Sequence, residues 1–324
     1  MLYNLFPVFA YYFNPIYAGL IAFVISTIAI AVLKKTLPAD HGREFAVNGA
    51  LSKGKARGCG IIFICVYIVL TILFVPPLPE ARYEVFLYVI LTFTACLEGF
   101  LDDASKIPWG ELKKGLVDLA ICVAAALTFY IYNGSVVKLA LPDVSFELPG
   151  VVFVILATLL LWGSINVVNC TDGVDGLCGS LSIVSIAGFL FILMGTDSNN
   201  IPAIFKCIIM IGVIAGYLLF NSSPSSVLMG DAGSRAIGLF LGLTALETGY
   251  PLIFIPICLI FILDGGLGLI KVALLRTIKL KILKNTRTPI HDHVRKNKGW
   301  SDTQTVARFV IAQAFILILY LCFV

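Results

Sequence analysis

Residues 150–177 read GVVFVILATLLLWGSINVVNCTDGVDGL, and the run from Leu148 to Thr171 contains no Asp, Glu, Lys or Arg. A helix needs about 20 mostly apolar residues to cross a bilayer. Within lipid every backbone polar group must be satisfied internally, which leaves helices or closed barrels. A barrel strand alternates apolar and polar residues; this run is continuous, so it reads as a membrane helix. It then turns abruptly polar. Asn166, Asn169, Asp172 and Asp175 recur at i+3, which would keep amides and carboxylates near one helical face. Gly173 and Gly176 permit tight turns and close ligand approach. Part of the composition suits calcium, but the EF-hand spacing and its terminal Glu are missing.

The same lack of charge recurs along the chain, at 1–33, 59–79, 119–137, 176–196, 207–230 and 309–324, with shorter runs at 85–97, 236–246 and 248–263. Candidate spans fall near 15–34, 59–76, 84–101, 115–133, 150–169, 177–195, 202–220, 235–248, 251–273 and 305–324, the eighth being short. Over 324 residues, 59% are hydrophobic and 13% charged, against about 45–50% and about 25% in soluble domains. That excludes a water-soluble globular enzyme and a disordered chain. The net charge of +4 is too small for a nucleic-acid-binding body. The expected fold is all-α: a polytopic integral membrane protein with about ten transmembrane helices, one domain over 1–324.

With the N-terminus placed outside, all Lys and Arg except Arg82, Lys138 and Lys206 fall on one side. Positive charge marks the cytoplasmic side. Both termini are therefore expected to be extracytoplasmic, and the loops at 35–58, 102–114, 170–176, 221–234 and 274–304 cytoplasmic. No basic residue precedes the first apolar segment and no small-residue cleavage site follows it, so a retained span is expected there. The nine Cys include no CxxC pair, which argues against a disulfide framework or zinc site.

The scarce acids collect on the expected cytoplasmic side. Asp102 and Asp103 end the third span, and Lys106 stands at i+4 from Asp102, a helical pairing distance. Adjacent carboxylates repel, so one held by a cation leaves the other free as a base; two solvated acids at a helix end are equally compatible. Gly230-Asp231-Ala232-Gly233-Ser234 is a glycine turn opening a helix. Free N–H groups there favour anions, and Asp231 beside them suits a divalent cation bridging phosphates. The plainer alternative is a helix start with Ser234 as N-cap. Gly49–Ala56 imitates a P-loop but ends in Ala and lacks the strand context; it reads as a basic loop facing anions. In the last loop, His291 and His293 flank Asp292 among Arg and Lys, a group suited to phosphate or sugar oxygens. Neutral histidines in a basic juxtamembrane loop are the alternative.

Taken in order, these motifs resemble the polyprenyl-phosphate N-acetylhexosamine-1-phosphate transferases over nearly the whole chain. The paired aspartates match Asp102 and Asp103, followed by Lys106. The N-x-x-N-x-x-D-G-x-D-G-L element matches Asn166 through Leu177, and M-G-D-x-G-S matches Met229 through Ser234. The P-I-H-H-H loop with its following Gly-Trp and Arg-Phe is matched by Pro289-Ile290-His291, His293, Gly299-Trp300 and Arg308-Phe309. That last element is similar to the muramoyl-pentapeptide branch. Asp292 stands where the family has its middle His, and Leu228 where it often has Phe. The T-P-T-M-G-G stretch is only echoed after Lys53.

The resemblance implies transfer of phospho-N-acetylmuramoyl-pentapeptide from its UDP-linked donor to undecaprenyl phosphate, giving lipid I and UMP, with Mg2+ as cofactor. It places the enzyme in the bacterial cytoplasmic membrane with its site on the cytoplasmic face. Asp102, Asp103, Lys106, Asp231, His291 and His293 are the implied catalytic residues, with Asp231 on the metal. Asn166, Asn169, Asp172, Asp175, Gly176, Asn221 and Lys53 are the implied substrate-binding residues. Homodimers are common among such proteins. A sister transferase using UDP-N-acetylglucosamine is the near alternative. An ion-coupled transporter is a distant one, because it expects midplane acids and internal repeats; Glu247 and Asp264 are the doubtful acids.

Overall fold

The computed structural model describes residues 14–40, 42, 52–76, 82–105, 107, 109–140, 144–195 and 200–323. The chain is helical at each of the ten expected segments. These are α1 (Pro15–Leu33), α2 (Gly60–Phe74), α3 (Arg82–Asp103), α4 (Glu111–Asn133), α5 (Gly150–Thr171), α6 (Leu177–Gly195), α7 (Ile201–Asn221) and α8 (Gly230–Glu247). A broken pair follows, α9 (Pro251–Ile257) and α10 (Leu259–Thr277), bent by 73°. A short amphipathic α11 (Ile290–Lys298) and then α12 (Asp302–Leu321) complete the order. Among the described residues, seven helices are long and apolar enough to cross a membrane, or eight counting the bent pair. The protein is a multi-pass membrane protein.

The eighth segment, faint in sequence, is the central helix. From Gly230 to Leu246 nearly every residue of α8 is buried, against α2, α3 and α5. Its charges, Asp231, Arg235 and Glu247, broke the apolar signal because they face protein rather than lipid. Small residues let the backbones approach. At Gly99 an added Cβ would collide with the Asp231 carbonyl, so α3 can cross the start of α8 only through a glycine. On the other side, Ser164 Oγ of α5 donates to the Gly238 carbonyl of α8 at 2.6 Å. Small residues also line α1 against α7, where Ser26 Oγ donates to Val213 O at 3.0 Å.

Two features were not anticipated. An antiparallel hairpin, β1 (Val136–Leu139) with β2 (Val144–Glu147), joins α4 to α5 and pairs Val136 with Glu147. It is tied to the turn after α8 by Lys138 N–H donating to Gly249 O at 3.0 Å. The ninth span is not one rod. Its first part ends at Ile257, and its second carries a π-helical stretch, Ile262–Gly266, that pushes Asp264 into the interior. All nine cysteines are free thiols.

Candidate active site

The acidic residues that close α3 and open α8 meet at one end of the bundle. α8 begins on Gly230, whose φ of +72° and absent Cβ let the Asp103 carboxylate lie against it. Asp103 Oδ2 accepts from Ala232 N–H at 3.3 Å. Asp231 occupies the first turn of α8, where exposed N–H groups favour a negative charge. Ser234 does not cap that helix; its hydroxyl donates back to Gly230 O at 3.0 Å from within the first turn.

Cations interleave these carboxylates. Lys114, in the first turn of α4, makes a close ion pair with Asp102 and reaches Asp231 Oδ2 at 3.2 Å. Arg57 donates from Nε to Asp103 Oδ1 at 2.8 Å and from Nη1 to Asp40 Oδ1 at 3.1 Å. Arg235 lies one turn beyond Asp231, touching it at 3.3 Å, and spans to Asp118 and Glu98. Asp102 also accepts from Trp109 N–H at 2.6 Å. The Asp103 side chain is sealed, while those of Asp231, Lys114 and Arg57 retain 15%, 22% and 24% exposure, so the cluster opens outward through its cations and Asp231.

The segment carrying Arg57 is stitched to the chain just before α8. Leu228 N–H donates to Ala56 O at 2.7 Å, and Cys59 and Gly60 N–H donate to Leu228 and Met229 O, each at 3.0 Å. Burial works against the Arg57 charge, but Asp103, Asp231 and Asp40 outweigh it and hold the guanidinium above its ordinary value. Burial likewise pushes Asp40 up. The Ser52 hydroxyl, the Arg57 charge and the Gly42 N–H prevail and leave its carboxyl below the usual range.

The Asn/Asp element splits. α5 ends at Thr171, so only Asn166 and Asn169 share its face; Asp172 and Asp175 lie in the following turns, which Gly176 completes at φ +83°. This departs from the expected common helical face, and the reason is that Asp172-Gly173 ends the helix. Asn169 Nδ2 donates to Ser234 Oγ at 3.0 Å, beside Asp231. Asn166 folds back on Trp162 O at 2.8 Å. Asp175 turns away from the cluster, accepting from Ser225 N–H at 2.9 Å and pairing with Lys55 at 3.3 Å. Asn221 Oδ1 accepts from Gly176 N–H at 2.8 Å, and its Nδ2 donates to Val227 O at 2.9 Å. Asp175 and Asn221 thus hold the loops together in this structure.

The last loop docks onto that element. His291 is buried, with its N–H donating to Asp264 Oδ1 and its Nδ1 meeting Asp264 Oδ2, both at 2.7 Å. The other ring nitrogen, Nε2, lies against Gly173, where a Cβ would collide with it. His293 Nδ1 accepts from Arg287 N–H at 3.3 Å. Asp292 approaches Arg295 at 3.6 Å.

Lys106 lies outside the described residues, and Lys53 is exposed. Sequence reasoning passed over Lys114, Arg57, Arg235 and Asp264 as site residues. Lys114 was legible only as one more basic loop residue. Asp264 had a signal: a lone acid in an apolar stretch is a functional candidate. Its partner proves to be His291, and Glu247 is paired with Lys206. The two acids that favoured a transporter are both engaged.

Interleaved carboxylates and cations at one end of a membrane bundle are the arrangement that a group-transfer enzyme acting on anionic substrates requires. Residues 85–249 match the family described as Glycosyl transferase family 4. The phospho-N-acetylmuramoyl-pentapeptide-transferase of Treponema pallidum (strain Nichols) is 36% identical over 300 residues, covering 87% of this chain and 81% of its own. Its namesake in Clostridium novyi (strain NT) is 30% identical over 318 residues, covering 91% and 92%. That of Bacillus subtilis (strain 168) is 29% identical over 311 residues, covering 93% of each. The chain belongs to glycosyl transferase family 4, and within it to the phospho-N-acetylmuramoyl-pentapeptide transferases.

Proposed function

We propose that the protein transfers phospho-N-acetylmuramoyl-pentapeptide from its UDP-linked donor to undecaprenyl phosphate, giving lipid I and UMP. The observation that carries this reading is Lys114 shared between Asp102 of α3 and Asp231 of α8, with Arg57 on Asp103 beside them. An oxygen of the lipid phosphate attacks the phosphorus next to the sugar, and the bond to UMP breaks. Both reactants are anions, so the site must neutralise charge and align them. Lys114 and Arg57 supply positive charge there, and Asp102 and Asp103 orient the incoming phosphate. Asn169, bonded to Ser234 beside Asp231, and Asn166 one turn earlier are the amides assigned to the nucleotide, and His291, held by Asp264 and packed with Nε2 against Gly173, docks the last loop onto that element.

The donor set suits Mg2+, which keeps waters and binds through one or two carboxylates plus substrate phosphates. Asp231 is the partly open carboxylate, and the charge of Asp103 faces it. Held there by Asp231, Mg2+ would supply charge neutralisation for the phosphates. The site end also carries most of the basic residues, which supports a cytoplasmic active-site face.

The test is UMP release by purified, detergent-solubilised protein given undecaprenyl phosphate and Mg2+. Release is expected with UDP-N-acetylmuramoyl-pentapeptide. Release only with UDP-N-acetylglucosamine would move the protein to the sister specificity, and release with neither from a folded sample would overturn the reading.

A further inference from the structure

Beyond the acid cluster, the last loop lines a surface-open pocket of about 530 Å³ whose lining includes Lys271, Lys284, Arg287 and Lys296, with Asn285 and Asn297, and no acidic residue. It shares no lining residue with the cluster of Asp102, Asp103 and Asp231. Its wall is built. Lys271 Nζ donates to Leu283 O at 3.1 Å and Thr286 O at 2.8 Å, pinning the loop. Leu283 is held at φ +49°, a left-handed conformation that costs a bulky residue about 1 kcal/mol or more. Strain of this kind persists where surrounding contacts enforce it, and it clusters at ligand clamps. The pinned loop delivers Arg287, whose Nη1 is buried and, among the described residues, has no hydrogen-bond partner. A buried guanidinium nitrogen without an acceptor is costly, and an anion entering the cavity would satisfy it. Arg287 N–H meanwhile donates to the His293 ring, and Lys296 lies on the same helix, α11, as both histidines. The pocket therefore sits directly beside the helix that carries both histidines.

We propose that this cavity binds carboxylate groups of the donor's peptide, with Lys284, Arg287 and Lys296 as the binding cations and Lys271 as the residue that positions their loop. The assignment rests on the functional reading above. The cations of the acid cluster serve the phosphates, and a peptide carried on the sugar brings at least its terminal carboxylate to a second basic site. An anionic lipid headgroup has the same charge, and exposed Ile278 and Leu280 leave apolar surface on this loop that a membrane surface would cover.

The experiment compares kcat/KM for UDP-N-acetylmuramoyl-pentapeptide and for the same donor with its carboxyl groups amidated. It uses the full chain in phosphatidylcholine vesicles with and without phosphatidylglycerol. In the parent, amidation is expected to lower kcat/KM about tenfold, the scale of losing a charged contact. In Arg287→Gln, and in the exposed pair Lys284→Gln with Lys296→Gln, amidation should cost less than about twofold. A parent indifferent to amidation, or variants that still lose the same factor, would overturn the subsite. A defect that follows phosphatidylglycerol instead of the donor's carboxyl groups would reassign the cavity to lipid headgroups and overturn it as well. A parent that turns over neither donor removes the functional reading, and the subsite with it.

Discussion

The two ends of α8 carry opposite kinds of buried charge. At one end Glu247 makes a close pair with Lys206, whose ammonium also sits 5.1 Å from the Tyr88 ring. Tyr88 in turn donates to Glu84 at 2.8 Å. Lys206 and Glu247 are 3% and 14% exposed at the side chain. At the other end the cations are shared: Lys114 bridges Asp102 and Asp231, Arg235 bridges Asp231, Asp118 and Glu98, and Arg57 bridges Asp103 and Asp40. A matched, closed pair fixes helices in place. A shared set, open on the side of Lys114, Arg57 and Asp231, can exchange partners with an incoming anion.

The sharpest break of that comparison is Asp231→Asn, which keeps the shape and removes one charge. It should lower kcat at least about 10³-fold, or about 4 kcal/mol of barrier. Thermal unfolding in detergent should shift little, because Lys114 and Arg235 keep other acids. Substantial turnover in that variant would remove Asp231 from the chemistry. At the far end the effect should appear in stability instead. Lys206→Met or Glu247→Gln leaves a buried charge alone and should destabilise by about 3 kcal/mol, and the double variant should recover part of the loss. The folded fraction of each should turn over at the parent rate. Activity losses out of proportion to the folded fraction would mean that the two ends are not separate in function.

The fold was legible because lipid leaves few alternatives: an uncharged run long enough to span reads as a helix, and among the described residues each expected segment is helical, the ninth as a broken pair. What sequence hid was pairing across helices. The i+4 partner read for Asp102, Lys106, lies outside the described residues; the cation seen on Asp102 is Lys114 of α4, beyond the end of α3 at Asp103. Periodicity cannot report that, because the pairing is set by where a helix stops. The same cause moved Asp175. The i+3 spacing placed it on a helix that ends at Thr171, and the turns carry it to Lys55. The α9–α10 bend was hidden too, since continuous hydropathy does not distinguish a rod from a broken rod. Asp264 was visible as an isolated acid, but its tie to His291 joins residues far apart in the chain.

The smallest predicted effect concerns Arg57, which fixes Asp103 through one nitrogen and Asp40 through another. Lysine preserves the charge but cannot span two acceptors with a rigid fork. Arg57→Lys should therefore lower kcat about tenfold, by loosening Asp103 rather than by removing positive charge. Asp40→Asn should cost less, about twofold to threefold, because it frees only the outer half of the fork. The sign of the pH effect follows from the depressed Asp40 carboxyl. Its contribution is complete above the ordinary carboxylate value of 3.8 and is lost only as pH falls through its lower folded value. The parent and Asp40→Asn should thus differ by a constant factor across the neutral range, measured as kcat from about pH 6 to 8. A gap that closes with falling pH inside that window would place the Asp40 titration far above where its Ser52, Gly42 and Arg57 partners hold it. The fork would then not be what orients Asp103.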